Sequence, residues 1–324
     1  MKVCIVGAGA IGGWIGARLA LAGHQVSILA RGAMLAAIET NGLQLIENGT
    51  THSVQVKASN TAADLETPDL LVIAVKAPGL RDAALASVPL MGPNTMVLTA
   101  MNGVPWWFFD RTDRPLTGLR LASIDPTGEI AAAIPSAQVI GCVVHVACSV
   151  DAPGFIRHKM GQRLIIGEPG GGISPRLGAL RDTFTAALFE PEASADIQHD
   201  VWFKLWGNMT MNPVSAITGA TTDKILDDEL TREFCSAVMR EAQAIGNKIG
   251  IPIEQTPEQR HDVTRKLGAM KTSMLQDVEA NKGVELDALV ASVREIGQQV
   301  GVATPFTDAL LGLTRLMARG RGLY

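Results

Sequence analysis

Ten residues at the start of the chain restrict its fold more than anything that follows. Residues 3–6 are an apolar run, and they lead directly into Gly7-Ala8-Gly9-Ala10-Ile11-Gly12, a G-x-G-x-x-G that opens a stretch of helical character. In that setting each glycine has a mechanical task. The first makes the tight turn, the second lets backbone approach a pyrophosphate, and the third lets the helix pack on the strand. The helix N-terminus then offers its N–H groups to phosphate oxygens. A glycine-rich turn with no ligand is the bland alternative, and the strand–turn–helix context weighs against it.

The pattern continues in the same style. Residues 26–29, 70–75 and 96–98 read as strands that are apolar throughout, as strands buried on both faces are, so a parallel sheet is predicted. Between them, 11–22 and 33–41 read as helices that end at Gly23 and Gly42. Residues 138–150 and 162–166 again look like strands, whereas 102–135 carries no regular pattern. From about residue 196 the texture is helical, with candidate helices at 201–218, 227–249, 257–270, 285–300 and 305–319. The expectation is an α/β Rossmann-type, doubly wound parallel sheet over residues 1–194, followed by an all-α domain over 195–324.

Length agrees, since 324 residues make about two domains at roughly 150 residues each. Lys and Arg total 28 against 32 Asp and Glu, a net charge of −4 spread along the chain, which provides no electrostatic footprint for nucleic acid or an anionic membrane. Cys4, Cys142, Cys148 and Cys235 form no C-x-x-C pair and have no histidine at zinc-finger spacing, so neither a disulfide scaffold nor a metal is expected, and a reducing cytoplasm fits. His24, His52, His145, His158, His199 and His261 are scattered and fall in no metal-ligand spacing. The uncharged stretch 3–17 after Lys2 could pass for a signal peptide, but five glycines within it argue against a continuous apolar helix.

Three further features carry chemistry. The second strand runs into Arg31 with no acid before Glu39, which favours a 2′-phosphate and therefore NADP over NAD; a solvated arginine at a helix start is the alternative. In the helix at 201–218, Lys204, Asn208 and Asn212 recur at i, i+4 and i+8 amid Trp and Met, a narrow polar stripe that reads equally as a cleft wall or a solvent face. In a cleft, Lys204 would be partly desolvated and able to donate a proton near neutral pH. Ser273-Met274-Leu275-Gln276-Asp277 and Glu285 read, from physics alone, as capping and first-turn residues.

Taken together, the glycine motif, Arg31, Lys76 in Val72-Ile73-Ala74-Val75-Lys76-Ala77, Asn102-Gly103, Lys204-x-x-x-Asn208-x-x-x-Asn212-Pro213 and Ser273-Met274-Leu275-Gln276-Asp277 with Glu285 resemble the ketopantoate reductase family (2-dehydropantoate 2-reductases) in the right order over nearly the whole chain. The resemblance implies NADPH-dependent reduction of a 2-keto acid to the 2-hydroxy acid. It implies Lys204 as the general acid and Glu285 as the acid that pairs with it. It places Asn102, Asn208, Asn212 and Ser273 on the substrate, and Gly7, Ala8, Gly9, Ala10, Ile11, Gly12, Arg31, Lys76 and Asn102 beside NADP(H). The expected partner is a small-molecule 2-keto acid, with a homodimer also compatible.

The chain departs from the family pattern in three places. Asn102-Gly103 is followed by Val104-Pro105-Trp106-Trp107-Phe108-Phe109, Thr222-Asp223 stands where an Asn-Gly pair is common, and Val284 stands where a Thr is usual before the glutamate. These changes leave hydride transfer untouched and point to a bulkier or more apolar keto acid, with the aromatic run as a lid, a pocket wall or a dimer contact. A β-hydroxyacid dehydrogenase shares the plan, but Arg31 and the Ser273 and Glu285 pattern speak against it; a non-catalytic NADP sensor would be expected to lose Lys204 or Glu285.

Overall fold

A computed structural model describes residues 1–324. The chain forms two compact units, one of residues 1–101 and 127–200, the other of residues 102–126 and 201–324. The sequence reading drew one line at 194/195. The observed division differs because the chain leaves the first unit after Met101 and returns at Thr127.

In the first unit the elements run β1 (Lys2–Val6), α1 (Ala10–Leu21), β2 (Gln25–Leu29), α2 (Gly32–Asn41), β3 (Leu43–Glu47), β4 (Thr50–Val54), β5 (Lys57–Ser59), β6 (Leu70–Ile73), α3 (Leu80–Ser87), β7 (Met96–Ala100), α4 (Glu129–Ala133), β8 (Val139–Ala152), β9 (Phe155–Gly167), α5 (Pro175–Ala186) and β10 (Glu190–Ser194). They make one ten-stranded sheet in the order β4-β3-β9-β8-β7-β6-β1-β2-β5, with β10 added beside β9. The segment from β8 through β7, β6 and β1 to β2 and β5 is parallel, as expected of apolar strands alternating with helices. Two antiparallel pairings, β3 with β4 and β8 with β9, make the sheet mixed rather than wholly parallel. Both are hairpins closed by two residues, Asn48-Gly49 and Pro153-Gly154, and Asn48, Gly49 and Gly154 all take positive φ.

Strand β1 sits between β2 and β6, so the direction of winding reverses at its C-terminal end, where ligands of doubly wound sheets bind. The backbone there is tightly packed. Gly7 leaves β1 with φ +94, and a Cβ on it would lie 2.7 Å from Val75 Cγ1 and 2.9 Å from the Ala74 carbonyl oxygen; on Gly12 it would lie 2.1 Å from the Gly7 carbonyl oxygen. Deeper in α1, Arg18 is 5% exposed, donates to Gln162 Oε1 at 3.0 Å, pairs with Glu47 and lies over the Trp14 ring, tying the helix to β3 and β9.

The second unit is helical: α6 (Ile197–Thr218, whose first residues belong to the first unit), α7 (Thr222–Asp227), α8 (Glu229–Lys248), α9 (Pro257–Arg265), α10 (Ser273–Glu279), α11 (Ser292–Val300) and α12 (Pro305–Gly320). The expected helix at 257–270 stops at Arg265, and Gly268 with φ +62 follows. The expected helix at 285–300 begins as a wide π-turn, Asp287–Ala291, before α11. Trp106, Trp107, Phe108 and Phe109, anticipated as a lid, a pocket wall or a dimer contact, are all buried, and the Phe108 ring lies 6.0 Å from that of Trp202 on α6. No helix is long and apolar enough to cross a membrane. None of the four cysteines is in a disulfide, and burial pushes the thiol of Cys4 up to about 11 and those of Cys148 and Cys235 to about 12.

The contrast between two glycines of one loop is testable. Gly12→Ala drives a methyl into the Gly7 carbonyl and is expected to destabilise the first unit by about 1–3 kcal/mol, the usual range for overpacking. Gly9→Ala, whose Cβ would meet nothing within 4 Å, should stay within about 0.5 kcal/mol of the parent. Thermal unfolding of the two variants side by side checks this.

Candidate active site

The first unit presents the start of α1 just beyond the C-terminal end of β1. Helix α1 starts from Gly9 with no side-chain cap and no acid in its first turn, so its leading N–H groups face outward with no competing carboxylate. The space above Gly9 is open, with nothing within 4 Å of where a Cβ would lie, whereas Gly7 and Gly12 are closed in by protein. The structure thus separates the three glycines into one with open space above it and two that let backbone touch backbone. Arg31 follows β2 as the exposed N-cap residue of α2, and Lys76 follows β6 as the exposed N-cap residue of a short 3-10 turn. Both cations stand beyond the C-terminal ends of the two strands that flank β1.

The second unit gathers the polar side chains that the sequence singled out. Lys204 is half-buried on α6, and its Nζ donates to Asn102 Oδ1 at 2.9 Å. One turn on, Asn208 is half-buried, and Asn212, a further turn along, is 5% exposed and donates through Nδ2 to Ser273 Oγ at 3.2 Å. The capping reading of 273–277 needs amendment. Thr272 is the N-cap of α10 and accepts from the Leu275 N–H at 3.2 Å, which leaves the Ser273 hydroxyl to meet Asn212. Glu285 and Asp277 are both buried, at 7% and 8% exposure. An ionised carboxylate at such depth requires polar company. No three His, Cys, Asp or Glu side chains are grouped so as to hold a metal ion.

What holds Asn102 opposite Lys204 is a turn that sequence reasoning passed over. Gly103 takes φ +84, and a Cβ there would lie 2.5 Å from the Ala288 carbonyl oxygen. That same carbonyl accepts the Val104 N–H at 2.9 Å and the Ser292 hydroxyl at 3.0 Å. The π-turn at Asp287–Ala291 breaks the usual i to i−4 ladder, and the Ala288 carbonyl takes the Val104 N–H from outside and the Ser292 hydroxyl from one turn on, in a segment that starts two residues after Glu285. Residues 102–104 are therefore docked on the π-turn that follows Glu285, and Asn102 is aimed at α6 from there. The Asn-Gly dipeptide was the available signal; the π-turn has none that propensity reveals.

Gly103→Ala is expected to cost about 1–3 kcal/mol more than Gly118→Ala. Both glycines have positive φ, but nothing lies within 4 Å of a Cβ at Gly118. Urea midpoints of the two variants measure the difference.

Comparison with known proteins identifies the family. Residues 3–107 match the family described as ketopantoate reductase PanE/ApbA, and residues 196–318 match its C-terminal counterpart. A 2-dehydropantoate 2-reductase of Mesorhizobium japonicum is 45% identical over 325 residues, covering 100% of both chains. A solved structure from Ralstonia solanacearum MolK2, named for its likeness to ketopantoate reductases, is 59% identical with a TM-score of 0.97 and covers 100% of this chain and 99% of its own. A PanE/ApbA family ketopantoate reductase of Ralstonia eutropha JMP134 is 27% identical with a TM-score of 0.85, covering 99% of this chain and all of its own. With both halves of the family matched in order and a close relative aligned end to end, this chain belongs to the ketopantoate reductase family of oxidoreductases.

Proposed function

We propose that the protein reduces a 2-keto acid, 2-dehydropantoate or a close analogue, to the 2-hydroxy acid with NADPH as the reductant. The observation that carries this reading is the Lys204 Nζ held by Asn102 at 2.9 Å, on the same helix as an asparagine that reaches Ser273, in a member of a keto-acid reductase family. NADPH, when bound, supplies the hydride that adds to the keto carbon and leaves as NADP⁺. Lys204 gives its Nζ proton to the oxygen that becomes the hydroxyl, and Asn102 fixes the direction of that proton. Asn208, Asn212 and Ser273 orient the acid and its hydroxyl groups. Glu285, buried at the head of the π-turn, pairs with the lysine through the cycle. Gly7, Ala8, Gly9, Ala10, Ile11 and Gly12 form the pyrophosphate loop, Arg31 takes the 2′-phosphate, and Lys76 and Asn102 stand beside the nicotinamide end.

Four cysteines outside any disulfide suit a reducing cytoplasm. A homodimer fits the solvent-facing Leu313 and Leu316 on α12, which are 59% and 71% exposed. The direct test is NADPH consumption over a panel of 2-keto acids, with fluorescence titration of NADPH as the binding control. Binding without turnover of any keto acid would overturn the reading.

Two substitutions examine the assigned roles. Arg31→Ala should erase most of the preference for NADPH over NADH, because a hydrogen bond to a charged group contributes roughly 1.5–3 kcal/mol, or about 10- to 150-fold in affinity. An unchanged ratio of the two dissociation constants would reject Arg31 as the 2′-phosphate contact. Lys204→Ala should lower kcat by about 10²–10⁴-fold, the range for loss of a general acid, with NADPH affinity nearly intact. Retention of more than about a tenth of the parent kcat would reject proton donation by Lys204.

A further inference from the structure

The second unit contains a cation that none of the assigned roles uses. Arg260 projects from α9 onto α6, its guanidinium carbon 5.3 Å from the centroid of the Phe203 ring and its Nε and Nη2 each 3.0 Å from where a Gly207 Cβ would be. The Nε is sealed from solvent without a hydrogen-bond partner. Glu258, on the same helix, pairs with Arg240 at 3.2 Å instead. Burial alone holds the Arg260 pKa below the usual arginine range, with no acid acting against it. Helix α6 adds none, since after Asp200 it contains neither Asp nor Glu through Thr218.

A largely buried cation without a counter-ion is unfavourable, and stacking on one aromatic face offsets only part of that. The place where it is tolerated is informative. Gly207 lies three residues after Lys204 and one before Asn208, so Phe203 and Gly207 form the row of α6 next to the row of Lys204 and Asn208. Glycine inside a helix is a poor choice for stability, and here its bare surface admits the guanidinium against the helix backbone. A ligand lying along this side of α6 would meet Arg260 next to Lys204, the cation that the reading above pairs with Glu285. The planar fork of an arginine matches a carboxylate in shape as well as charge.

We propose that Arg260 is a carboxylate-binding residue that receives the acid group of the substrate beside the Lys204 row and so selects keto acids over neutral ketones. This rests on the keto-acid reading above. Among the substrate contacts that reading assigns besides Lys204 and Glu285, Asn102, Asn208, Asn212 and Ser273 are all uncharged, so the carboxylate otherwise lacks a dedicated cation.

The test uses oxamate, a 2-keto-acid isostere that hydride does not reduce, titrated into the NADPH-loaded protein and into the protein alone, with neutral ethyl oxamate as control. Arg260→Met should weaken oxamate binding roughly 10- to 150-fold, the range for a hydrogen bond to a charged group, and leave ethyl oxamate unchanged; Arg260→Lys should fall between. Gly207→Ala keeps the charge but presses on the guanidinium, and should weaken oxamate less than Arg260→Met. Equal losses for oxamate and its ester, or a lowered melting temperature with oxamate affinity intact, would overturn the proposal. If Arg260→Met does not fold, Arg260→Lys and Gly207→Ala decide in the same way, and unchanged oxamate affinity in both rejects it. Arginine-dependent oxamate binding in a protein that turns over no 2-keto acid would count against the proposed reaction and leave the carboxylate site standing.

Discussion

The approach of α1 to the ends of β1 and β6 is the contact on which the first unit depends. With no side chain at Gly7 or Gly12, the turn after β1 folds flat under the start of the helix, and Ala74 and Val75 close over it from the neighbouring strand. Any Cβ at either position would separate helix from sheet at the point where the winding reverses. The uncapped start of α1 stands directly on that close packing, and Arg31 and Lys76 lie beyond the ends of the strands that flank β1.

Much of this was legible because buried parallel strands and their connecting helices differ sharply in periodicity. The parallel core and the C-terminal helices are read from apolar runs and 3.6-residue repeats, and the glycines at helix ends do take positive φ. The omissions have separate causes. Strands β3 and β4 are part-polar and short, although Asn48-Gly49 was a usable hairpin signal. Strand β10 reads Glu-Pro-Glu-Ala-Ser, a poor strand by composition, and exists because β9 offers it a parallel partner. Helix α5 was missed despite Ser174 as its cap and Pro175 in its first turn.

The candidate site in the helical unit was legible as residue types and opaque as geometry. A repeat of Lys204, Asn208 and Asn212 shows that three side chains share a face. It does not show that Thr272 takes over the capping duty and releases Ser273, or that a π-turn after Glu285 leaves a carbonyl that docks Gly103 and aims Asn102. These arrangements are tertiary, and no local propensity encodes them. The burial of the aromatic run is tertiary in the same way: four consecutive large rings do not reveal that Phe108 meets Trp202 on α6.

The route of residues 102–126 also sets the order in which the protein can be completed during synthesis. This excursion leaves the ribosome long before α6 to α12, yet it belongs to their unit, with Phe108 lying against Trp202 and the Ala122 and Ser123 N–H groups donating to Glu295. While roughly a hundred further residues are translated, at about 5–20 per second, Trp106, Trp107, Phe108 and Phe109 have no helices to cover them. The nascent chain therefore carries a cluster of bare aromatic rings for several seconds, a natural handle for a chaperone. Cutting the gene at the end of the sheet would make that transient exposure permanent.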